Sequence, residues 1–192
     1  MNKIDVDKAV GIIKKEGVVI FPTDTVYGIG ASIKSEEAVQ RIYKIKKTPK
    51  SQSFPILVSK IGQVEQLANI PDSARILIKK FWPGALTIIL NSTNNKPGLK
   101  SKLGFRMPDS KIVSELIELS GAPIIGTSAN LHGKPSPKSF NEIDSALIEM
   151  SDGVIEGNCK LMKESTVVDA SPEKPVILRE GAIKLEADDF NN

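Results

Sequence analysis

Six short apolar runs constrain this chain most: GVVIF, FPILV, ALTIIL, PIIGT, STVVD and PVILR. Each is too short for a buried helix, and each is bounded by Gly, Pro or a polar cluster. All six read as strands, and GVVIF, continuous rather than alternating, as one buried on both faces. Helical patterns stand between them. Val6 to Lys15 carries apolar residues at 6, 9, 10, 12 and 13, and Ser35 followed by Glu36 and Glu37 starts a second helix. That helix buries Ala38, Ile42 and Ile45 and ends before Pro49. Asp72 is expected to cap a third, ending before Trp82-Pro83-Gly84. Asp109 or Ser110 caps a fourth through Leu119, and Asn141 to Met150 reads as a short fifth. GFRMP and GVIE add brief strands. The alternation predicts an α/β fold with a mixed parallel and antiparallel sheet flanked by helices. The final strands follow each other directly, so some of their pairing is expected to be antiparallel.

No composition break, linker or repeat divides the 192 residues, so residues 1–192 read as a single domain with a tail, 186–192, expected to fray. The formal charge of +3, from 26 basic and 23 acidic side chains, suits a mixed solvated surface better than a dedicated polyanion binder. A lone cysteine, Cys159, excludes an internal disulfide, and with a lone histidine, His132, it leaves too few soft ligands for structural zinc. The N-terminus has no signal-peptide apolar region, and the longest apolar runs fall far short of a membrane span. A soluble, cytoplasmic protein with no membrane partner is the expectation. Common nucleotide motifs fail: GKP stands where a Walker loop needs GK[ST], GIGASI lacks a third glycine, and no G-x-S-x-G occurs.

Polar residues collect where predicted strands end. Thr23, Asp24 and Thr25 follow GVVIF; Arg106 closes a strand; Thr127, Ser128 and Asn130 follow PIIG; Arg179 ends PVIL. Turn chemistry explains any one cluster. Four recurrences point instead to a ligand cleft, since ligands gather at strand ends in helix-covered sheets. Lys44, Lys46, Lys47 and Lys50 add positive charge at a helix end. Local chemistry thus predicts a polar, partly cationic cleft for a small anionic ligand.

Taken in order, FPTDTVYGIG, IYKIKKTP, FWPGALTIIL, GFRMP, GTSANLHGKPSP, STVVD and ILREGA resemble the YrdC/Sua5 family, the threonylcarbamoyl-AMP synthases of tRNA modification. The resemblance covers about residues 10 to 182 and is to the family's short, single-domain form. It implies a twisted mixed sheet with a concave, positively charged face. It also implies formation of threonylcarbamoyl-AMP and pyrophosphate from L-threonine, bicarbonate and ATP, with Mg2+ travelling with the ATP. Downstream threonylcarbamoyl-transfer enzymes then carry the group to adenosine 37 of tRNA.

Residue by residue, the resemblance places Thr25, Tyr27, Arg106 and Ser165 at the threonine, and Lys46, Ser128, Asn130, Ser136 and Arg179 at the ATP. It implies no protein nucleophile and no metal ligand; Lys46 and Arg106 are expected to matter most, through positioning and charge. The chain departs from the pattern at Thr48, where the family's K-x-R has arginine, so a planar phosphate contact is missing. Gln52, Ser53, Leu57 and His132 also differ. Two other functions stay open: a non-catalytic relative that binds duplex RNA or tRNA, and an adenylation starting from carbamoyl phosphate, as in the family's hydrogenase-maturation branch.

Overall fold

The computed structural model describes residues 3–93 and 101–190. Among the described residues nine strands form one sheet: β1 (Val19–Pro22), β2 (Tyr27–Ser32), β3 (Ile56–Leu57), β4 (Leu86–Asn91), β5 (Lys102–Arg106), β6 (Ile124–Ser128), β7 (Gly153–Val154), β8 (Thr166–Asp169) and β9 (Val176–Arg179). Their order is β7-β1-β2-β6-β3-β5-β4-β8-β9. The sheet is mixed, as expected: β1–β7, β3–β5 and β4–β8 are parallel, whereas β1–β2, β2–β6, β3–β6, β4–β5 and β8–β9 are antiparallel.

The described residues include six α-helices: α1 (Val6–Lys14), α2 (Glu36–Lys46), α3 (Ile61–Glu65), α4 (Asp72–Phe81), α5 (Lys111–Ser120) and α6 (Ser145–Met150). Strand β1 shows why GVVIF is apolar throughout. Val19 and Phe21 face α1 and α5, packing with Ala9, Ile13, Val113 and Leu116. Val18 and Ile20 face the other way, towards Ala38, Ile42 and Leu147 of α2 and α6. Each such fully buried aliphatic side chain contributes roughly 1.5–3 kcal/mol.

The other half of the sheet is covered differently. Leu86, Ile88 and Leu90 of β4, Phe105 of β5 and Val168 of β8 pack with Ala74, Leu77 and Ile78 of α4. The alternate residues of the same strands, Thr87 and Ile89, Gly104 and Arg106, Val167 and Asp169, point to the opposite face and line a cavity. Half a sheet with its second face given to a cavity is what positions the site.

Several expectations shift. Asp72 is the first helical residue, not the cap; Pro71 occupies that position. Asn141–Met150 is not one helix. A 3₁₀ turn spans Phe140–Glu142, Ile143 is extended, and Asp144 caps α6 by accepting from the amide of Ala146 at 2.9 Å. The described part of the tail carries local structure. Ala187–Phe190 forms a 3₁₀ turn, Phe190 packs on the α4 core, and Lys80 reaches the Asp188 carbonyl at 3.0 Å. Residues 191 and 192 lie outside the described residues.

Candidate active site

Residues 23–26 connect β1 to β2 and answer what the hydroxyls of FPTDT are for. Thr23 Oγ1 donates to the carbonyl of Val26 at 2.8 Å and accepts from the amide of Thr25 at 3.1 Å, so its proton is committed to the turn. The 2.9 Å contact between the two hydroxyls is therefore donated by Thr25. Thr25 Oγ1 in turn accepts from Arg106 Nη1 at 2.8 Å. Thr23 builds the turn, and Thr25 belongs to the cavity.

Arg106 is held on three sides. Nη1 meets Thr25, Nη2 meets Asp24 Oδ1 at 2.5 Å, and Nε meets the carbonyl of Gly84 at 3.1 Å. The ion pair is buried, with side chains 8% and 2% exposed. A buried pair costs desolvation that only good geometry offsets. The pairing fixes the guanidinium fork at the mouth of a cavity of about 460 Å³. Nearby, Ser165 Oγ lies 2.8 Å from Thr87 Oγ1, and Arg179 holds the Ser165 carbonyl through Nε and Nη2 at 3.1 and 2.8 Å. Ile89, Val167, Phe54 and Leu178 supply apolar wall.

A second cavity of about 260 Å³ adjoins the first. Thr127, Ser128, Gln52, Phe54, Glu164 and Arg179 line both. Its wall is the loop after β6. Lys46, the last residue of α2, is buried and donates from Nζ to the carbonyls of Ser128 and Asn130, the latter at 2.7 Å, and to Asn130 Oδ1 at 3.1 Å. Burial lowers its pKa to about 8. Ser128 Oγ donates to Asn130 Oδ1 at 2.5 Å, and Asn130 Nδ2 donates to the carbonyl of Lys134. Thr48 is buried here with Oγ1 lacking any hydrogen-bond partner.

The structure brings the sequence-predicted residues together. Thr25, Tyr27, Arg106 and Ser165 line the first cavity; Lys46, Asn130 and Ser136 line the second; Ser128 and Arg179 line both. Two of these side chains also hold the loops around the cavities. The hydroxyl of Tyr27 donates to the Gly157 carbonyl at 2.7 Å and accepts from the Gly157 amide at 2.8 Å, so it pins a loop while the rest of the residue shapes the wall. The Lys46 ammonium has three acceptors for its three protons, all on the loop.

Sequence reading missed Asp24 as the partner of Arg106, although its place between Thr23 and Thr25 was the available signal. It also missed Glu164, which precedes Ser165. Its own backbone amide, then the Ser136 hydroxyl, hold the Glu164 carboxyl below its ordinary pKa despite burial. Glu164 is thus an ionised carboxylate on the wall that the two cavities share. Lys102 and Asp169, paired at 2.8 Å, close the far end of the first cavity.

Comparison with known proteins gives this geometry a context. Residues 11–181 match the family of Sua5, YciO and YrdC, described as Telomere recombination. Over 184 residues the chain is 40% identical to threonylcarbamoyl-AMP synthase of Pyrococcus abyssi, covering 93% of this chain and 54% of that protein. The solved structure of P. abyssi Sua5 complexed with L-threonine superposes with a TM-score of 0.86 at 39% identity, over 92% of this chain and 54% of that one. A putative threonylcarbamoyl-AMP synthase of Methanocaldococcus jannaschii is 37% identical, over 97% of this chain and 92% of its own length. The crystal structure of Escherichia coli YciO matches with a TM-score of 0.83 at 29% identity, covering 94% and 92%. The chain therefore spans about half the length of P. abyssi Sua5 but nearly all of the shorter relatives.

Proposed function

The chain belongs to the Sua5/YciO/YrdC family, and on that premise we propose that it is an enzyme, a nucleotidyltransferase making threonylcarbamoyl-AMP and pyrophosphate from L-threonine, bicarbonate and ATP. The observation that carries the reading is the shared wall. A cavity lined by Arg106 adjoins a second polar cavity, with Thr127, Ser128, Glu164 and Arg179 common to both.

The chemistry fits these residues. The threonine carboxylate docks on Arg106, whose planar fork suits two-point binding, with Thr25 and Ser165 beside it. The amine takes up carbon dioxide as a carbamate, and a carbamate oxygen attacks the α-phosphorus of ATP while pyrophosphate leaves. Two anions must approach, so the site needs fixed donors and cations more than a nucleophile. Arg179 stands at the junction where they meet. Holding both reactants in line can supply roughly 7–11 kcal/mol of the barrier.

Magnesium enters as part of the ATP substrate. Among the described residues no group of three or more His, Cys, Asp or Glu side chains could hold a metal ion. Mg2+ on a triphosphate commonly needs one carboxylate besides phosphates and water, and Glu164 would be that residue. The product then passes to enzymes that transfer the threonylcarbamoyl group to tRNA.

The test is pyrophosphate release by the purified protein. Release should require ATP, threonine and bicarbonate together. Release without threonine, or none with all three, would remove the reading. Among the described residues no helix is long and apolar enough to cross a membrane.

A further inference from the structure

We infer that Lys46 acts on the nucleotide through the loop it fastens, residues 128–134, and not by touching the phosphates. The inference rests on the second cavity being the nucleotide site and deepens that reading. An ammonium has three protons and no acceptor. Here the three point at the carbonyl of Ser128, the carbonyl of Asn130 and Asn130 Oδ1. The loop answers back: the amide of His132 donates to the carbonyl of Lys46 at 2.8 Å, meeting one of the acceptors that a helix C-terminus leaves unpaired. Asn130 Oδ1 also receives the Ser128 hydroxyl, and Asn130 Nδ2 closes on Lys134. Loop 128–134 is therefore built around one buried charge at the end of α2.

To reach a phosphate, Lys46 would have to release one of these acceptors and open the wall that bounds the cavity. The other charged and titratable groups lining this cavity are His132 and Lys134 on the loop, Glu164 before β8 and Arg179 on β9. Arg179 is exposed and lines both cavities, so it can meet a phosphate without unmaking the loop. Lys46 is thus a positioning residue.

Two measurements test this. Lys46→Met should weaken ATP, AMP and adenosine by a similar factor, on the order of 10–100, because the wall is lost whatever the ligand's charge. A loss that grows with the number of phosphates would show direct contact and overturn the inference. In the wild-type protein without ligand, the backbone amide resonances of residues 128–134 should shift together as pH rises from about 7 to 10, with a midpoint near the lysine's pKa of about 8, since a neutral amine keeps only two protons for three acceptors. Resonances that stay put across that range would also overturn it. If Lys46→Met fails to fold, wild-type affinities for ATP, AMP and adenosine across the same pH range decide the matter: parallel losses support the inference, and a loss that grows with the number of phosphates overturns it. A protein that binds no nucleotide removes the functional reading, and the titration then tests only whether Lys46 fastens the loop.

Discussion

At the scale of single residues, the Arg106–Asp24 pair separates what the site needs from what the fold needs. Asp24 is 3% exposed, and its Oδ2 has no hydrogen-bond partner even with Arg106 present. Arg106→Ala would leave a buried carboxylate with no counter-charge, at an expected cost of about 3–5 kcal/mol in urea unfolding. Replacing both, as Asp24→Leu with Arg106→Met, removes the stranded charge and should recover most of that stability. Neither variant should bind threonine in calorimetry, because the fork proposed to meet its carboxylate is gone in both. Recovery of stability without recovery of binding would show that the fold requires only that no charge be left unpaired, whereas the site requires the fork of Arg106 itself. If the double variant is no more stable than Arg106→Ala, the pair is not the stabilising unit its geometry suggests.

At the scale of elements, close backbone approaches decide whether side chains reach the site. Gly181 follows β9, and a Cβ there would lie 2.3 Å from the Ser165 carbonyl carbon and 2.4 Å from the Glu164 and Ser165 carbonyl oxygens. These are backbone atoms and cannot swing aside. Gly181→Ala should therefore force β8 and the segment after β9 apart, costing about 1–3 kcal/mol as overpacking does and displacing Ser165 and Arg179. Thermal unfolding and threonine affinity should fall together. A second element-level contact joins α2 to the residues before β7. Asp152 takes Arg41 at 2.6 and 3.0 Å and the Val18 amide at 2.8 Å. Burial alone would raise the pKa of Asp152, but Arg41 and the Val18 amide outweigh it and hold the carboxyl low. A depressed carboxylate stabilises the fold above its unfolded pKa, near 3.9, and loses that contribution as pH falls through the folded value. Asp152→Asn should thus be less stable than wild type at neutral pH, with the gap closing below about pH 4 in urea titrations.

Elements also show how much was legible in the sequence. Apolar runs marked β1, β4, β6 and β8, although among these four it is β1 whose residues are all buried; in β6 and β8 burial alternates along the strand. Strand β2 was not legible: Tyr27-Gly28-Ile29-Gly30-Ala31-Ser32 has little β propensity. Its glycines are there for close packing, since a Cβ on Gly30 would meet the Ile125 carbonyl oxygen at 2.3 Å. Helix α3, five residues long, was below the length at which periodicity speaks. Chemistry was legible where residue type decides it, as with Arg106. Partnerships were not, because Asp24–Arg106 and Lys46–Asn130 span 82 and 84 positions and depend on the register of the sheet.

At the scale of the whole molecule, the sheet order explains why two ligands should sense one another. Strands β6 and β2 carry Ser128, Thr127 and Tyr27; on the other side of β3, strands β5, β4, β8 and β9 carry Arg106, Thr87, Val167 and Arg179. The first cavity spans these two groups of strands, and the second lies against Thr127, Ser128 and Arg179. A ligand in either orders the common wall, so the second binds to a site already held in place. Threonine should therefore raise ATP affinity, and linkage requires ATP to raise threonine affinity by the same factor, within the usual range of about 5–150-fold. Arg179 is the natural place to break the coupling. It lines both cavities and holds the Ser165 carbonyl, yet it is exposed and buries no charge. Arg179→Ala should leave the fold stable and each ligand able to bind alone, ATP with reduced affinity, while the two enhancement factors fall together towards one. Calorimetric titration of each ligand in the absence and presence of the other measures all four affinities. Equal, undiminished enhancement in Arg179→Ala would mean the cavities communicate by another route.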